Sequence, residues 1–231
     1  AWISVRALEV LRDRAAVADS ADAAVAVARE LRDARPSMAA VANRVNRVLA
    51  EVDRSPAAIR DRAQAAAESA LDADDAAAAL AAERCGASVA TLSRSETVRA
   101  ALREATPSVL IGESRPAREG VDVAADLADD GLDVTLTTDA ALSSELAGHD
   151  PDTVLVGADA VLADGSVGNK VGTRGLALAA AREDVPVYAV AAADKVRPDE
   201  RFAGETGADA DLYDGSAPVT VSNPIFDRTP A

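Results

Sequence analysis

The chain has 231 residues, of which 49% are hydrophobic and 27% charged, and its formal net charge is -15 at pH 7. A chain of this length can bury a core, so an intrinsically disordered protein is not expected. The negative charge would repel a nucleic-acid backbone, and the few aromatic residues (one Trp, two Tyr and two Phe) offer little surface for base stacking, so direct nucleic-acid binding is not expected either.

The composition also indicates the environment of the protein. Acidic residues outnumber basic ones by 39 to 24, and only two basic residues, Lys170 and Lys195, are lysines. An acidic, lysine-poor surface is typical of a halophilic protein, because concentrated salt screens charge repulsion. The single Cys85 cannot form an internal disulfide, and no apolar run reaches the length of a membrane span. We therefore expect a cytoplasmic protein without metal, cofactor or membrane contact.

Residues 1–84 are rich in helix formers. Apolar residues such as Val41, Val45 and Val48 recur at helical spacing. The predicted breaks lie at residues 35–37, 54–56 and 71–74, and Asp74 would cap the helix that follows the last of these breaks. The pattern predicts a helical N-terminal domain over residues 1–84.

From residue 85 onwards, short β-rich runs alternate with helical stretches. Strands are predicted at residues 88–92, 108–111, 134–138, 153–156 and 185–191. Apolar strands that alternate with helices are typical of an α/β fold with a parallel sheet covered on both faces. Ligands of such sheets bind at the carboxyl ends of the strands. We therefore predict a ligand-binding domain over residues 85–231, with its site at that edge.

Polar residues follow four of the predicted strands and should converge on one pocket. Asp159 is the strongest candidate for chemistry, because it directly follows the apolar run at residues 154–156. Burial at the sheet edge would raise its pKa and a nearby lysine would lower it, which suits a general acid or base. The alternative is a carboxylate that only binds loop backbone. The other candidates after the strands are Ser93, Arg94, Arg115, Gly157 and Lys195.

Residues 165–173, which read GSVGNKVGT, predict a glycine-rich turn that leads into a helix beginning near Thr173. The free N–H groups at a helix start favour an anion, and Lys170 would add a full positive charge for a phosphate. Both lysines of the chain follow predicted strands, although arginine replaces lysine almost everywhere else. The segment predicts a phosphate site, and an ordinary loop with a solvated lysine is the alternative.

Residues 156–173, reading VGADAVLADGSVGNKVGT, resemble the signature of a known family. This family unites the initiation factor 2B alpha, beta and delta subunits with methylthioribose-1-phosphate isomerase and ribose-1,5-bisphosphate isomerase. Further matching segments occur in the same order, so the resemblance spans roughly residues 34–230. These segments are residues 34–37, 113–116, 188–195 and 223–230.

The resemblance implies a helical N-terminal domain followed by a Rossmann-like domain, assembled as a homodimer or higher oligomer. It also implies a phosphorylated sugar or nucleotide as ligand, with translation initiation proteins as possible partners. Carried over position by position, the ligand-binding residues would be Arg35, Arg94, Arg115, Gly157, Asn169, Lys170, Gly172, Thr173 and Lys195.

In the isomerases of this family, an aspartate and a cysteine form the catalytic pair. Asp159 matches the aspartate, but Ser93 stands at the cysteine position, and a hydroxyl is a far weaker acid than a thiol. Glu119 also stands where the isomerases have a glutamine. These departures favour a regulatory, non-catalytic protein of the initiation factor 2B type. An aldose-ketose isomerase acting on a ribose phosphate through Asp159 and Ser93, and a purely structural assembly module, are the alternatives.

Overall fold

The structure is a computed structural model that describes residues 2–198, 201–202 and 204–231. Its first part is helical. Ser20 and Ser55 cap the second and fourth helices by accepting hydrogen bonds from backbone N–H groups, and Pro56 occupies the first turn of the fourth. The four helices are α1 (Trp2–Ala16), α2 (Ala21–Asp33), α3 (Ala39–Leu49) and α4 (Pro56–Ala82).

Helix α4 runs without interruption through residues 71–74, so the predicted break there is wrong. No glycine or proline lies between Ala57 and Ala82, and alanine-rich sequence continues a helix readily. Asp74 is therefore an interior residue, buried against Arg44, and caps nothing. Although α4 has 27 residues, no helix within the described ranges is long and apolar enough to cross a membrane.

The helices pack around a core of their own. Its members come from all four helices and are mostly alanine, valine and leucine, as the scarcity of aromatic residues requires. Helix α1 contributes leucines and α3 contributes valines, while α4 contributes Ile59 together with alanines that allow close helix packing. Representative members are Leu8, Leu11, Val45, Val48, Ile59 and Ala63.

The second part contains a five-stranded parallel sheet with the order β3-β2-β1-β4-β7, which confirms the predicted α/β class. Each predicted strand lies within one residue or two of its observed position. The sheet strands are β1 (Ser88–Leu92), β2 (Ser108–Gly112), β3 (Val134–Thr137), β4 (Thr153–Gly157) and β7 (Val187–Val190), and the helices are α5 (Glu96–Ala105), α6 (Glu119–Asp129), α7 (Asp139–His149) and α8 (Thr173–Arg182).

Both faces of this sheet are covered, as the apolar strands predicted. Adjacent residues of β1 point to opposite faces, so Val89 packs with α5 and α6 while Ala90 packs with α7 and α8. The helical part also reaches the sheet, because Ala81 near the end of α4 belongs to the same core cluster as Val89.

A second, antiparallel sheet was not predicted. It consists of β5 (Ala160–Val161), β6 (Val167–Lys170) and β8 (Phe226–Thr229), in the order β5-β6-β8. Residues 167–170 are thus a strand rather than the predicted turn, and a β carbon on Gly168 would lie 2.1 Å from the ring of Phe202. This small sheet aligns the residues of β6 with the carboxyl edge of the large one.

Candidate functional site

A cavity of about 600 Å³ lies at the carboxyl ends of β1 and β4, where the sheet was predicted to bind its ligand. The rest of its wall comes from the starts of α1, α5 and α6, from strands β6 and β8, from the loop between α2 and α3, and from the turn that contains Lys195. The polar residues that line it are Arg35, Ser93, Arg94, Ser95, Glu96, Thr97, Glu119, Asp159, Asn169, Lys170 and Lys195. A second cavity of about 420 Å³ adjoins it between α1, α4 and α5.

The end of β1 contributes Ser93 and Arg94. Ser93 is only 8% exposed and has a left-handed backbone with φ of 61°, so the chain turns sharply into α5 at this point. Ser95 then caps α5 by accepting a hydrogen bond from the N–H of Val98. Arg94 projects as an exposed cation, and no ion pair is found for it within the described part of the chain.

The end of β4 contributes Gly157 and Asp159. A β carbon on Gly157 would lie 2.9 Å from the Ser95 side chain, so glycine permits the close approach of the two strand ends. The backbone of Asp159 is fixed on both sides: its N–H donates to Gly168 O (2.9 Å), and its carbonyl accepts from the N–H of Ala39 (3.1 Å). Burial raises the pKa of the Asp159 carboxyl, and the charge of Lys195 partly offsets this rise.

Lys195 lies in a 3₁₀ turn, Ala193–Lys195, that follows β7. Its side chain is 7% exposed, and burial lowers the pKa of its ammonium, although Asp159 and Asp74 act in the opposite direction. A carboxyl whose pKa is raised and an ammonium whose pKa is lowered therefore line the same cavity. Such an opposed pair is suited to proton transfer.

Arg44, which was not among the predicted site residues, holds this turn in place. The side chain is 1% exposed, with Nε donating to Asp194 Oδ2 (2.9 Å) and Nη1 donating to Ser4 Oγ (2.6 Å). Asn43 Nδ2 donates to the carbonyls of Asp194 and Val196, both at 2.8 Å. A signal existed in the sequence, because an arginine at position 44 falls on the apolar face of α3.

The start of α8 differs from the predicted anion site. The N–H groups of Gly172 and Arg174 donate to the Asp227 carboxylate, at 2.8 and 3.2 Å to Oδ2, so a side chain of β8 already occupies this helix terminus. Gly172 and Thr173 do not line the cavity. Thr173 instead donates to Lys170 O (2.6 Å) and accepts from Asn169 Nδ2 (2.9 Å), which orients the two residues of β6 that do line it.

Lys170 reaches the cavity, but it is already paired. Its Nζ lies 2.7 Å from Glu119 Oε1, and both side chains are largely buried. The other oxygen, Glu119 Oε2, is buried and has no hydrogen-bond partner among the described residues. Glu119 was expected only as a departure from the isomerases. Its contact with Lys170 joins residues 51 positions apart, so the local sequence pattern could not predict it.

Of the two remaining predicted ligand residues, one lines the cavity and the other does not. Arg35 lines the cavity, where its guanidinium contacts the carboxylate of Glu205 (3.2 Å). Arg115 is exposed and does not line the cavity, and its backbone N–H donates to Asp139 Oδ2 (2.6 Å). The predicted cluster is thus brought together except for Arg115, Gly172 and Thr173.

Comparisons with known proteins identify the family to which the chain is related. The model of the Initiation factor 2 subunit family matches residues 1–231. Ribose 1,5-bisphosphate isomerase of Haloferax volcanii is 33% identical over 260 aligned residues, covering 100% of this chain and 79% of the relative. Methylthioribose-1-phosphate isomerase of Heliobacterium modesticaldum is 36% identical over 135 residues, covering 54% of this chain and 39% of that relative.

A solved structure agrees over nearly the whole chain. The Pyrococcus horikoshii OT3 translation initiation factor eIF-2B superposes with a TM-score of 0.86 at 26% identity, covering 99% of this chain and 85% of that one. Its helical and sheet parts correspond to those described above. The chain therefore belongs to the Initiation factor 2 subunit family and is related to sugar-phosphate isomerases.

Proposed function

We propose that the protein binds a phosphorylated pentose in the cavity at the strand ends and isomerises it between aldose and ketose. The observation that carries this proposal is the position of Asp159, whose carboxyl has a raised pKa and shares the cavity with the buried ammonium of Lys195. The name of the Haloferax volcanii relative supports an isomerase, which the sequence analysis placed second to a regulatory protein.

The chemistry requires one group that can carry a proton. In a sugar 1-phosphate, ring opening breaks the bond between C1 and the ring oxygen, and a base removes the proton from C2 to give an enediol. The C2 hydroxyl then gives its proton to the freed ring oxygen, which forms the enediolate, and the base returns the first proton to C1 and leaves a ketone at C2. Asp159 is the group for this transfer, because burial leaves its carboxylate more basic than usual. Lys195 would stabilise the negative charge of the enediolate, and the Ser93 hydroxyl would donate a hydrogen bond to a sugar oxygen.

A non-catalytic sugar-phosphate sensor is the second candidate. Ser93 favours it, because the family's isomerases have a thiol at this position and a serine hydroxyl releases its proton far less readily. In that case Asp159 and Lys195 would only recognise the sugar, and the protein would act through its partners. Translation initiation proteins are the partner class that the resemblance suggests.

Phosphorus NMR separates the two candidates. The purified protein in concentrated salt would be mixed in turn with ribose 1,5-bisphosphate, 5-methylthioribose 1-phosphate and a nucleoside monophosphate. New product resonances that disappear in Asp159→Asn would support the isomerase. Broadening of the ligand resonances without product would support the sensor, and sharp, unchanged spectra with all three compounds would contradict both.

We also propose that the protein assembles with a second copy of itself through the edge of the large sheet. Strand β7 ends the sheet, and its first three residues are exposed. Val187 and Tyr188 are 36% and 40% exposed, and Leu178 on the neighbouring helix α8 is 66% exposed. An open strand edge beside apolar side chains is suited to pairing with an identical edge.

A further inference from the structure

Glu119 is aimed at the cavity by a tight local structure. It is the first residue of α6, and the next residue, Gly120, leaves no space for a side chain because a β carbon there would lie 2.0 Å from Gly112 O. The N–H of Gly120 donates to Glu113 O (3.0 Å). The start of α6 is therefore pressed against the end of β2, and the Glu119 side chain is directed at Lys170 on β6.

The ion pair with Glu119 neutralises Lys170, which would otherwise be the strongest phosphate ligand in the cavity. An ammonium held 2.7 Å from a carboxylate in a largely buried position has little net charge to offer an incoming dianion. A phosphate placed there would also be repelled by the second oxygen of Glu119, Oε2. That oxygen has no hydrogen-bond partner in the described structure and almost no accessible surface, so it acts on a ligand through its charge rather than by direct contact.

The other cations of the cavity differ in their partners. Arg35 is paired with Glu205, whereas Arg94 and Lys195 form no ion pair among the described residues. Lys195 lies close enough to Asp159 to be affected by its charge, and the proposed function assigns both residues to the reacting carbons. A second phosphate group would need a further unpaired cation, and among the described lining residues only Arg94 remains for a phosphate.

We propose that Glu119 is a specificity-determining residue that fits the cavity to a pentose with a single phosphate group. Arg94 binds the phosphate, and Glu119 neutralises Lys170 so that no second phosphate group is held beside it. This inference rests on the proposed binding of a phosphorylated pentose, and it departs from the bisphosphate in the name of the Haloferax volcanii relative.

Isothermal titration calorimetry at high salt tests the inference with ribose 1-phosphate, ribose 5-phosphate and ribose 1,5-bisphosphate as probes. We expect the wild-type protein to bind one of the monophosphates about tenfold or more tightly than the bisphosphate. Glu119→Gln keeps the shape and frees the charge of Lys170, so it should raise the bisphosphate affinity about tenfold and change the monophosphate affinity far less.

Two further variants complete the experiment. Glu113→Gln removes a carboxylate that pairs with Arg118 outside the cavity lining, and should leave the affinity ratio unchanged. Arg94→Gln alters an exposed residue, so it should fold, and it should weaken monophosphate binding about tenfold or more. It keeps the inference testable should Glu119→Gln fail to fold.

The possible failures are distinguishable. Tighter binding of the bisphosphate by the wild-type protein, with a ratio that Glu119→Gln does not change, would overturn the role of Glu119 while sugar-phosphate binding stands. Full monophosphate affinity in Arg94→Gln would overturn the assignment of the phosphate to Arg94. An absence of heat with all three probes, together with unchanged phosphorus spectra, would overturn both the inference and the proposed function.

Discussion

Arg44 and Asp194 join the two parts of the protein: Nε of Arg44 in α3 donates to Oδ2 of Asp194 across 2.9 Å, one residue before Lys195. Asp74 on α4 lies 3.7 Å from the same guanidinium and has no hydrogen-bond partner in the described structure. The helical part thereby determines the position of a cavity residue that belongs to the sheet part.

Replacement of Arg44 by methionine should destabilise the fold and disturb the cavity. The change leaves the Asp74 and Asp194 carboxylates buried without their shared cation, although Arg47 still pairs with Asp194. We expect the free energy of unfolding in urea to fall by about 3 kcal/mol. As a control, Arg60→Met removes an exposed pair with Asp61 and should change it by less than about 0.5 kcal/mol. Equal effects of the two changes would contradict the role of Arg44.

Replacement of Asp159 by asparagine should abolish isomerisation while ligand binding persists. The amide retains the size of the side chain and cannot accept the C2 proton, so turnover should fall about a hundredfold or more. Turnover would be followed by phosphorus NMR and binding by calorimetry on the same sample. Retained turnover would exclude Asp159 as the base, and loss of both properties would indicate a structural role.

The same variant should alter the pH dependence of stability. Because burial raises the pKa of Asp159, the folded protein holds this proton more tightly than the unfolded chain does. The contribution of Asp159 to stability is therefore full below the ordinary carboxyl pKa and is lost as the pH rises through the raised value. We expect Asp159→Asn to exceed the wild type in stability at neutral pH, with a difference that shrinks as the pH falls.

Urea unfolding across the acidic to neutral range measures this difference. The control is Asp19→Asn, a change at an exposed carboxylate, which should follow the wild-type curve throughout. A difference for Asp159→Asn that grows towards acidic pH would contradict the assigned sign.

Replacement of Ser93 by cysteine separates the enzyme from the sensor. Ser93 already has a non-glycine side chain on a left-handed backbone, so the cysteine side chain, which is of similar size, should fit in the same place. If Asp159 acts as a base on a ring-opened sugar, the more acidic thiol should raise turnover, and initial rates by phosphorus NMR would show this. If neither the wild type nor Ser93→Cys shows any turnover, the sensor is favoured. Ser144→Cys, at an exposed position of α7, controls for a nonspecific effect of a new thiol.

Replacement of Tyr188 by aspartate should dissociate the proposed dimer. A charge on the exposed face of edge strand β7 would repel its copy across the interface, so the mass in solution should fall to that of the 23.5 kDa chain. Light scattering after gel filtration measures this mass. Val52→Asp changes a side chain that is 98% exposed between α3 and α4 and should not alter it. A monomeric wild type would refute the assembly.

The sequence predicted the large sheet well because its strands are short apolar runs bounded by turn residues, and both signals are local. It failed at β6, since this strand pairs with the two-residue strand β5 and with β8, whose residues lie some 60 positions later. The interruption expected at Asp74 failed for a related reason: a charged residue suggests a helix end unless its buried partner, Arg44, is known.

The residues of the candidate site also fall into two groups, those that local sequence predicts and those whose contacts come from distant parts of the chain. Asp159, Ser93 and Arg94 were predicted from their positions after strands, a rule that depends only on fold class. The phosphate site at the start of α8 could not be tested from the sequence, because Asp227, which caps that helix, arrives from the C-terminal strand. The pairing of Lys170 with Glu119 is equally non-local.

The unbroken course of α4 bears on how the molecule unfolds. Over 27 residues the helix extends about 40 Å, with Ile59 and Ala63 in the helical core and Ala81 in the core beneath the sheet. Each end of this helix is thus embedded in a different hydrophobic cluster, so loss of the whole helix exposes apolar surface in both clusters. Melting should therefore proceed as one cooperative transition, and a cut within this helix should cost both halves their stability.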